Sequence, residues 1–448
     1  MTYFFETYGC QMNSAESAAL SLACKERGWC EADNGESADL VLLNTCSVRL
    51  TAEKRTLGRI AHYAGLKKKR GFKFTLVVAG CMAQRLGENL KEKFPQIDYV
   101  MGTFARSLFP VILEAVENGT RAILDLNENA AFSFSQSHFE EGEFSPSVRS
   151  FIPIMHGCDN FCSYCIVPYV RGREVSRDPL NIAQEIRLVG SRGARESTLL
   201  GQNVNSYFWE KDNVDFSGLL KIAAAEAAQS GVKWLRFLSA NPKNFSTGTI
   251  ETMAANRVFC RHIHLPVQHG SNSILKAMNR GYTKERFIEL VREIRAAMPE
   301  VTISTDILVG FPGETEDDVE QTLQLMEEIK FLYSYMYHFN PREGTKAFDL
   351  PNRIGEEVKR ERLSRVIELQ KNHTARLLKS RIGSTETVLI EGISRKNADE
   401  LITRTEKDEM VAVPGKASMI GSFAKVTLSS LRGNTFRAKE AFSCPGDY

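Results

Sequence analysis

The chain has 448 residues, with 57 lysine and arginine residues against 55 aspartate and glutamate residues, and ten cysteines. A chain of this length exceeds one ordinary hydrophobic core, so we expect two or three domains. The balanced charge excludes a protein that attracts nucleic acid through its overall field, so any such partner must meet local basic patches.

The cysteine content and the lack of an evident signal peptide indicate a reducing compartment. We therefore expect a cytoplasmic protein whose thiols are ligands or core residues rather than disulfides. No apolar run in the sequence is long enough to span a bilayer, so we expect no membrane partner.

Three strand-like apolar runs near the amino terminus each end at a cysteine, namely Cys10, Cys46 and Cys81, about 35 residues apart. Each run is followed by a helix-like segment, which predicts a parallel α/β sheet. Because ligands collect beyond the carboxyl ends of such strands, we expect these thiols to converge and to hold a cluster. Thiols that only fill the top of the sheet are the alternative. Four further cysteines lack this placement and are interpreted as core or incidental residues: Cys24, Cys30, Cys260 and Cys444.

The segment 49–73 has the most uneven charge, with nine basic residues against one acid, Glu53. Such a run is either the solvated face of a helix or a phosphate-binding patch, and both interpretations stay open. Hydrophobic periodicity fails from about residue 127 to residue 150, which predicts a linker and a first domain boundary near residue 145.

Three cysteines fall within eight residues of the central segment: Cys158, Cys162 and Cys165. Iron–sulfur clusters are normally held by four cysteines, so a three-cysteine loop leaves one iron open, and an open metal position usually supports chemistry. A zinc site with His156 as fourth ligand is the main alternative, and three unrelated buried thiols are the other.

Six strand candidates separated by amphipathic helices predict a partial (β/α)6 barrel, with the cysteine loop after its first strand. Sites in such barrels lie at the carboxyl ends of the strands, where polar residues gather in this chain. A ring of amides, hydroxyls and one guanidinium can hold a zwitterionic, ribose-bearing ligand, although for each Asn or Ser taken alone we favour a turn or a helix cap. The predicted cofactor-binding residues are Gln202, Asn203, Asn205, Ser239, Gln268, Asp306 and Arg342.

His262, His264 and His269 look like a metal cluster in the sequence. The first two alternate with apolar residues on a predicted strand, and no convergent partners can be identified for them. We therefore favour strand packing over metal ligation for these histidines.

The carboxyl-terminal third begins with a long charged helix over about 355–381, where nine basic residues, counting Arg353, face four acids. It is either a second basic patch or an exposed connecting helix. Short alternating strands broken by Gly and Asn follow, and they predict a small antiparallel β-barrel.

Eight motifs, in order and spread over nearly the whole chain, resemble those of the radical S-adenosylmethionine (SAM) methylthiotransferases. They lie at residues 6–13, 43–46, 79–85, 157–165, 171–174, 200–207, 264–268 and 305–314. The resemblance implies an α/β protein with three domains: an amino-terminal methylthiotransferase domain at 1–145, a radical SAM barrel at 146–380, and an OB-like, RNA-binding TRAM barrel at 381–448.

The resemblance also implies two [4Fe-4S] clusters. Cys158, Cys162 and Cys165 would hold the catalytic cluster that binds and cleaves SAM, and the triad Cys10, Cys46 and Cys81 would hold an auxiliary cluster. One SAM would methylate a sulfur of the auxiliary cluster, and a second would yield the radical that removes hydrogen from C2 of an adenine. Such a hydrogen is neither acidic nor electrophilic, which agrees with a sequence that lacks a convincing acid–base pair or catalytic triad.

Within the family, the resemblance is greatest to enzymes that methylthiolate C2 of N6-isopentenyladenosine at position 37 of tRNA. The implied partners are the anticodon stem-loop, SAM and a reductant such as flavodoxin or ferredoxin, and we expect a monomer. Siblings acting on threonylcarbamoyladenosine-37 or on a ribosomal-protein aspartate are the alternative, and a non-enzymatic iron–sulfur RNA-binding protein is the third interpretation. The chain departs from the family pattern at Ala240, Asn241 and His269, so no direct ligand role is assigned to these residues.

Overall fold

The structure is a computed structural model that describes residues 1–47, 50–70, 73–122, 134 and 148–443. It divides into two compact units. The amino-terminal unit comprises the described part of Met1–Ser145 with Met155–Phe161 and Cys165–Arg177. The carboxyl-terminal unit comprises the described part of Pro146–Ile154 with Cys162–Tyr164 and the described part of Asp178–Tyr448.

Some predicted features lie outside the described residues: Arg49, Cys444, the linker from about 127 to 145 except residue 134, and the side chains of Lys69 and Arg70. The boundaries near 145 and 380 stay predictions. None of the helices in the described ranges is long and apolar enough to cross a membrane.

The amino-terminal unit is built on a parallel sheet, as predicted. Up to residue 117 its elements are β1 (Thr2–Thr7), α1 (Gln11–Glu26), β2 (Cys30–Glu31), β3 (Leu40–Thr45), α2 (Leu50–Arg70), β4 (Thr75–Gly80), α3 (Cys81–Leu86), α4 (Asn89–Lys93), β5 (Tyr99–Met101) and α5 (Phe109–Glu117). The strand order is β2-β1-β3-β4-β5, with every pairing parallel. Strand β3 is buried along its whole length, because hydrophobic clusters cover both faces of the sheet.

The central part of the chain alternates strands and helices. Its elements are β6 (Arg149–Pro153), β7 (Met155–His156), α6 (Val167–Arg171), β8 (Val175–Ser176), α7 (Pro179–Ser191), β9 (Glu196–Leu200), β10 (Phe208–Trp209), β11 (Val214–Asp215), α8 (Phe216–Ser230), β12 (Trp234–Phe237), α9 (Thr247–Ala255), β13 (His262–His264), α10 (Asn272–Ala277), α11 (Lys284–Ala297), β14 (Thr302–Val309), α12 (Glu316–Ile329), β15 (Tyr333–His338) and α13 (Glu356–Ser380).

The six predicted barrel strands all form. They pair in parallel as two three-stranded sheets, β12-β9-β6 and β13-β14-β15, instead of one uninterrupted six-stranded sheet. An isolated parallel bridge joins Leu235 in β12 to Phe259, which lies just before β13. Strand β13 itself has only three residues. Polar loops still follow the strands and contain the candidate cofactor residues other than Asp306, which lies within β14.

The carboxyl-terminal β-barrel has two more strands than the sequence predicts. Its strands are β16 (Thr385–Ser394), β17 (Asn397–Thr405), β18 (Met410–Pro414), β19 (Phe423–Arg432), β20 (Thr435–Ala438) and β21 (Phe442–Ser443). Strands β16, β17, β18, β20 and β19 close a ring, because β16 also pairs with β19. The pairing of β18 with β20 is parallel, whereas the other ring pairings are antiparallel. Strand β20 follows a tight turn at Gly433 and Asn434, and β21 has only two residues; the brevity of both strands explains why alternation did not reveal them.

Candidate functional site

The amino-terminal thiols lie at the carboxyl edge of the first sheet. Cys10 caps α1 just after β1, Cys46 follows β3, and Cys81 begins α3 directly after β4. Cys46 and Cys81 are buried, and Cys10 is exposed. Gly9 lies against this group with φ +127°, and a Cβ there would lie 2.6 Å from Cys46 Cβ and 3.2 Å from its Sγ. Only glycine lets the chain pass this close to the thiol.

A buried guanidinium lies beside the amino-terminal triad. Arg171 Nε donates to Cys81 Sγ at 3.3 Å, and Nη1 donates to Glu16 Oε1 at 2.7 Å. Arg106 Nη1 lies 3.0 Å from the same carboxylate oxygen. Glu16 is therefore a buried anion between two cations, an arrangement that compensates for its desolvation.

The titration behaviour of this group reflects burial and these charges. Burial alone would raise the pKa of Glu16, but Arg171 and Arg106 hold that pKa at about 2. Burial raises the pKa of the Cys81 thiol to about 12, Arg171 opposes the rise, and the nearby Cys46 and Cys10 add to it. Burial and the charge of Arg171 lower the pKa of His156 well below its ordinary value. Cys81 and Cys46 are thus desolvated thiols, whereas Cys10 lies at the surface of the same group.

The central cysteine loop turns at Gly157, whose φ is +81°. A Cβ on this glycine would lie 1.9 Å from the carbonyl oxygen of Arg173, so a side chain cannot be accommodated. Cys158 N donates to Gly172 O at 3.1 Å, and Asn160 Nδ2 donates to Cys158 Sγ at 3.5 Å. These contacts hold the start of the loop against the segment that leads into β8.

The sulfur of Cys162 also lies beside a buried guanidinium, that of Arg280. Arg280 Nη1 donates to Cys162 Sγ at 3.4 Å, and its Nη2 donates to Pro266 O at 2.8 Å. Burial alone would lower the pKa of Arg280, but neighbouring Tyr282, Tyr164 and Cys162 raise it well above its ordinary value. The guanidinium is therefore a fixed cation at this sulfur.

Both triads fit an iron–sulfur group by their donor chemistry. Thiolates are the usual ligands of such clusters, and hydrogen bonds to sulfur are part of how proteins tune them. Within the described ranges, no three His, Cys, Asp or Glu side chains are already arranged closely enough to hold a metal ion. The fit therefore rests on the thiols and on the donors beside them. His156, the zinc alternative, lies with its Nδ1 3.4 Å from Arg171 Nη1.

Six of the seven candidate cofactor residues follow strands as predicted, but Asp306 lies within β14, which runs on to Val309. Ser239 and Gln268 adopt left-handed backbone conformations, with φ of 65° and 74°. Strain of this kind clusters at functional sites. Gln268 N donates to Asp306 O at 2.9 Å, and Asp306 Oδ1 lies 3.3 Å from His264 Nε2. Three of the candidates are therefore held in defined positions.

The remaining candidates differ in burial and in their bonding partners. Asn205 uses both ends of its amide on the backbone of Asn241, donating to its O at 2.8 Å and accepting from its N at 2.7 Å. Asn203 and Arg342 are buried, and Gln202 is half-buried. Asn205 thus connects two loops of the ring.

The histidines have packing partners, as we favoured. His262 bonds through Nδ1 to Thr302 Oγ1 and through Nε2 to Ser304 Oγ, both at 2.9 Å. His269 Nε2 lies 3.0 Å from Glu314 Oε2, and both side chains are fully buried.

Two exposed tyrosines share a face of the second central sheet with candidate residue Asp306. Tyr335 pairs directly with Asp306 in the register of β14 and β15, and Tyr337 pairs with Leu308. Directly paired residues lie on the same face of a sheet. Tyr335 is 51% exposed, Tyr337 is 39% exposed, and the ring of His264 meets Tyr335 edge-on at 5.7 Å.

Sequence reasoning missed Arg171, Glu16 and Arg280 as neighbours of the sulfurs. Arg171 opens one of the family-like motifs, which singled out the residue but not its contact. No sequence signal links Arg280 to Cys162, because the two positions are 118 residues apart.

Three family models match the chain. The uncharacterized protein family UPF0004 matches residues 2–102, the radical SAM superfamily matches residues 152–326, and the TRAM domain matches residues 379–439. The first two ranges contain all six predicted cysteine ligands.

Known relatives match over almost the whole chain. A tRNA-2-methylthio-N(6)-dimethylallyladenosine synthase of Treponema denticola is 50% identical, over 98% of this chain and 99% of that protein. The protein of the same name from Treponema pallidum is 47% identical, over 98% of each. Among solved structures, the radical SAM methyltransferase TsrM of Kitasatospora setae, with cobalamin and a [4Fe-4S] cluster bound, is similar with a TM-score of 0.57. It is 16% identical over 78% of this chain and 77% of that chain, which shows a shared fold.

Proposed function

Because the chain belongs to the family of tRNA-2-methylthio-N(6)-dimethylallyladenosine synthases in the radical SAM superfamily, we propose that it methylthiolates C2 of N6-dimethylallyladenosine at position 37 of tRNA. Dimethylallyl and isopentenyl name the same substituent here. The observation that carries the proposal is the match of this chain to those relatives over nearly its full length, with both cysteine triads inside the matched family models.

The two triads have separate roles in this proposal. Cys158, Cys162 and Cys165 would hold the [4Fe-4S] cluster that acts on SAM, and the amino-terminal triad would hold the other. When bound, the two groups supply a SAM-derived radical and a transferable sulfur. Asn160 and Arg280 donate hydrogen bonds to the sulfurs of Cys158 and Cys162, respectively. These bonds support a cluster-binding role for the two sulfurs.

The polar ring holds SAM and the target nucleobase in this proposal. Ser239, Gln268 and Asp306 are the candidates for direct contact with SAM: the first two have left-handed backbone conformations, and Gln268 is bonded to the backbone of Asp306. The exposed rings of Tyr335 and Tyr337 offer the adenine a stacking surface on the same face of the sheet as Asp306.

The TRAM barrel contacts the tRNA backbone in this proposal. Its net charge is small, but its acids are largely used within the barrel: Glu386 and Glu409 pair with Arg381, Glu391 and Asp408 pair with Arg404, and Glu400 pairs with Arg437. Several basic residues are exposed instead: Arg395, Lys396, Lys416, Lys425, Arg432 and Lys439. An uneven distribution of this kind suits phosphate contacts.

Helix α2 offers a smaller basic surface than its sequence suggests. Arg59 pairs with Glu6 at 2.6 Å, and Lys67 pairs with Asp98. Lys54, Arg55 and Lys68 are exposed and remain candidates for phosphate contacts.

We further propose a cytoplasmic monomer that receives electrons from a flavodoxin or a ferredoxin.

Nucleoside mass spectrometry of tRNA from a strain without this gene tests the function. We expect loss of 2-methylthio-N6-dimethylallyladenosine and accumulation of N6-dimethylallyladenosine, with restoration by the parental gene. Restoration should fail with Cys158→Ala and succeed with Cys260→Ala, a buried cysteine outside both triads. Unchanged levels of this nucleoside, with loss of methylthio-threonylcarbamoyladenosine or of a methylthio-aspartate in ribosomal protein, would assign a sibling activity instead.

A further inference from the structure

The amino-terminal triad is linked to a buried arginine that has no role in the proposed function. Arg171 is 2% exposed and lies at the end of α6. Its Nε donates to Cys81 Sγ at 3.3 Å. Its Nη2 donates at 3.2 Å to Asn13 Oδ1, which also accepts from Cys10 Sγ at 3.5 Å. One guanidinium therefore contacts one thiol directly and a second through an amide.

The orientation of this guanidinium is fixed by a carboxylate on the other side. Glu16 receives Nη1 at 2.7 Å and Nη2 at 3.2 Å, which is the two-pronged geometry that a guanidinium forms with a carboxylate. Arg106 approaches Glu16 at 3.0 Å. Two cations and one anion thus form a desolvated network with a net positive charge, and the cation nearest to the sulfurs is Arg171.

We propose that Arg171 is the positioning residue of the auxiliary cluster: aligned by Glu16, it donates to the Cys81 sulfur and sets the reduction potential of the cluster that Cys10, Cys46 and Cys81 hold. The inference rests on the proposed function, which supplies that cluster. Net charge and hydrogen bonds to the sulfurs are two of the factors that set such potentials. Partners behind the first ligand shell orient the ligands and tune the group that they bind.

A purely structural role for the ion pair makes a different prediction. If Arg171 and Glu16 only fasten α6 to α1, removing either one loosens the same contact, and the two variants behave alike. If they tune the cluster, the variants act in opposite directions. Loss of the cation disfavours the more negative reduced cluster. Gln at position 16 keeps an oxygen that accepts from Arg171, so Glu16→Gln removes the negative charge without removing the alignment and favours the reduced cluster.

The experiment uses the full-length chain with Cys158, Cys162 and Cys165 all changed to Ala, so that bound iron reports only the amino-terminal triad. Iron content and the midpoint potential, followed by electron paramagnetic resonance, are measured after anaerobic reconstitution. In this background Arg171→Met should shift the midpoint to more negative values and Glu16→Gln to more positive values, each with about four irons per chain. Arg171→Lys, which keeps the charge, should shift it less than Arg171→Met.

Lys67→Met is the matched control, because it removes a paired cation from the same unit. It should leave the midpoint unchanged. Parental midpoints in both Arg171→Met and Glu16→Gln, or shifts in the same direction, would overturn the inference. Should Arg171→Met bind no iron, parental midpoints in Glu16→Gln and Arg171→Lys would overturn it as well. A background chain that binds no iron would overturn the auxiliary cluster itself, and with it both proposals.

Discussion

Arg236 donates from Nε to Glu196 Oε2 at 2.8 Å, and both side chains are buried. Its Nη1 and Nη2 each donate at 2.9 Å to the backbone oxygens of Glu406 and Thr405 at the end of β17. Burial alone would raise the pKa of Glu196, but Arg236 and Arg149 hold that pKa below its ordinary value. The guanidinium of Arg236 thus joins the β12-β9-β6 sheet to the carboxyl-terminal β-barrel.

We expect Arg236→Met to destabilise the protein by about 3–5 kcal/mol, because it leaves a buried carboxylate with one fewer cation and two carbonyls without their donor. Denaturant unfolding measures the loss, and limited proteolysis after residue 380 should become faster as the β-barrel detaches. Arg187→Met is the control, since Arg187 is largely exposed beside Glu226. Equal stability of the Arg236→Met variant and the parent would contradict this role.

The pH dependence of stability should reveal His262. Burial lowers the pKa of this histidine to about 4, from an ordinary value of 6.5. Above pH 6.5 the side chain is neutral in both states, so its contribution is fully present. As the pH falls from 6.5 towards 4, His262 binds a proton in the unfolded chain but stays neutral in the folded chain. The free energy of unfolding therefore falls by at most about 3 kcal/mol.

Urea unfolding between pH 7 and pH 4.5 measures this effect as the difference between the parent and His262→Gln. The variant should have a shallower loss of stability in this window. His62→Gln, at an exposed position on α2, should keep the parental slope. Identical slopes for the parent and His262→Gln would exclude His262 as the responsible group.

The sequence was sufficient to predict where the cysteines lie but not what surrounds them. Cys46 and Cys81 each follow an apolar run, and parallel strands bring their carboxyl ends to one edge, so local pattern and topology place both thiols at that edge. The contact of Arg171 with Glu16 joins positions 155 residues apart. Such a pair depends on how α6 packs against α1, which no local periodicity encodes.

The same limit explains Asn205. Its place after β9 was predictable from the strand pattern, and an amide there suits ligand binding or a turn equally well. The structure shows it bonded to the backbone of Asn241, in a loop 36 residues away. Only the parallel pairing of β9 with β12 brings those two loops together.

Iron content should separate the two triads. We expect about eight irons per chain after anaerobic reconstitution, and about four after Cys46→Ala or Cys162→Ala, because each triad would hold one four-iron cluster. Cys24→Ala, which removes a buried thiol from the same unit as Cys46, should retain about eight. A parent that saturates at four irons, with Cys46 dispensable for methylthiolation, would remove the sulfur-donor role of the amino-terminal triad.

Gln268 and His269 are neighbours with different expected roles. Gln268→Ala should weaken SAM binding about tenfold with little change in stability, since a hydrogen bond to a charged ligand contributes about 1.5 kcal/mol. His269→Ala should instead destabilise the fold by roughly 1–3 kcal/mol, because it removes a partner of the buried Glu314, and SAM affinity should be kept. Calorimetric SAM titration of the reconstituted protein measures the affinity, and denaturant unfolding measures the stability. Weakened SAM binding in His269→Ala, with parental binding in Gln268→Ala, would assign the ligand contact to His269.

Tyr335 provides the sharpest test of where the nucleobase lies. Stacking of a base on an aromatic ring contributes roughly 1–3 kcal/mol, so Tyr335→Ala should weaken binding of an anticodon stem-loop carrying dimethylallyladenosine by about 5- to 150-fold. Tyr335→Phe keeps the ring and should bind like the parent. Phe208→Ala is the matched control, because Phe208 is similarly exposed, at 46%, but lies on β10. Phe208→Ala should bind the RNA like the parent. If Tyr335→Ala also binds like the parent, the face shared by Tyr335 and Asp306 does not receive the base, because removing a ring that stacks on a nucleobase lowers the affinity.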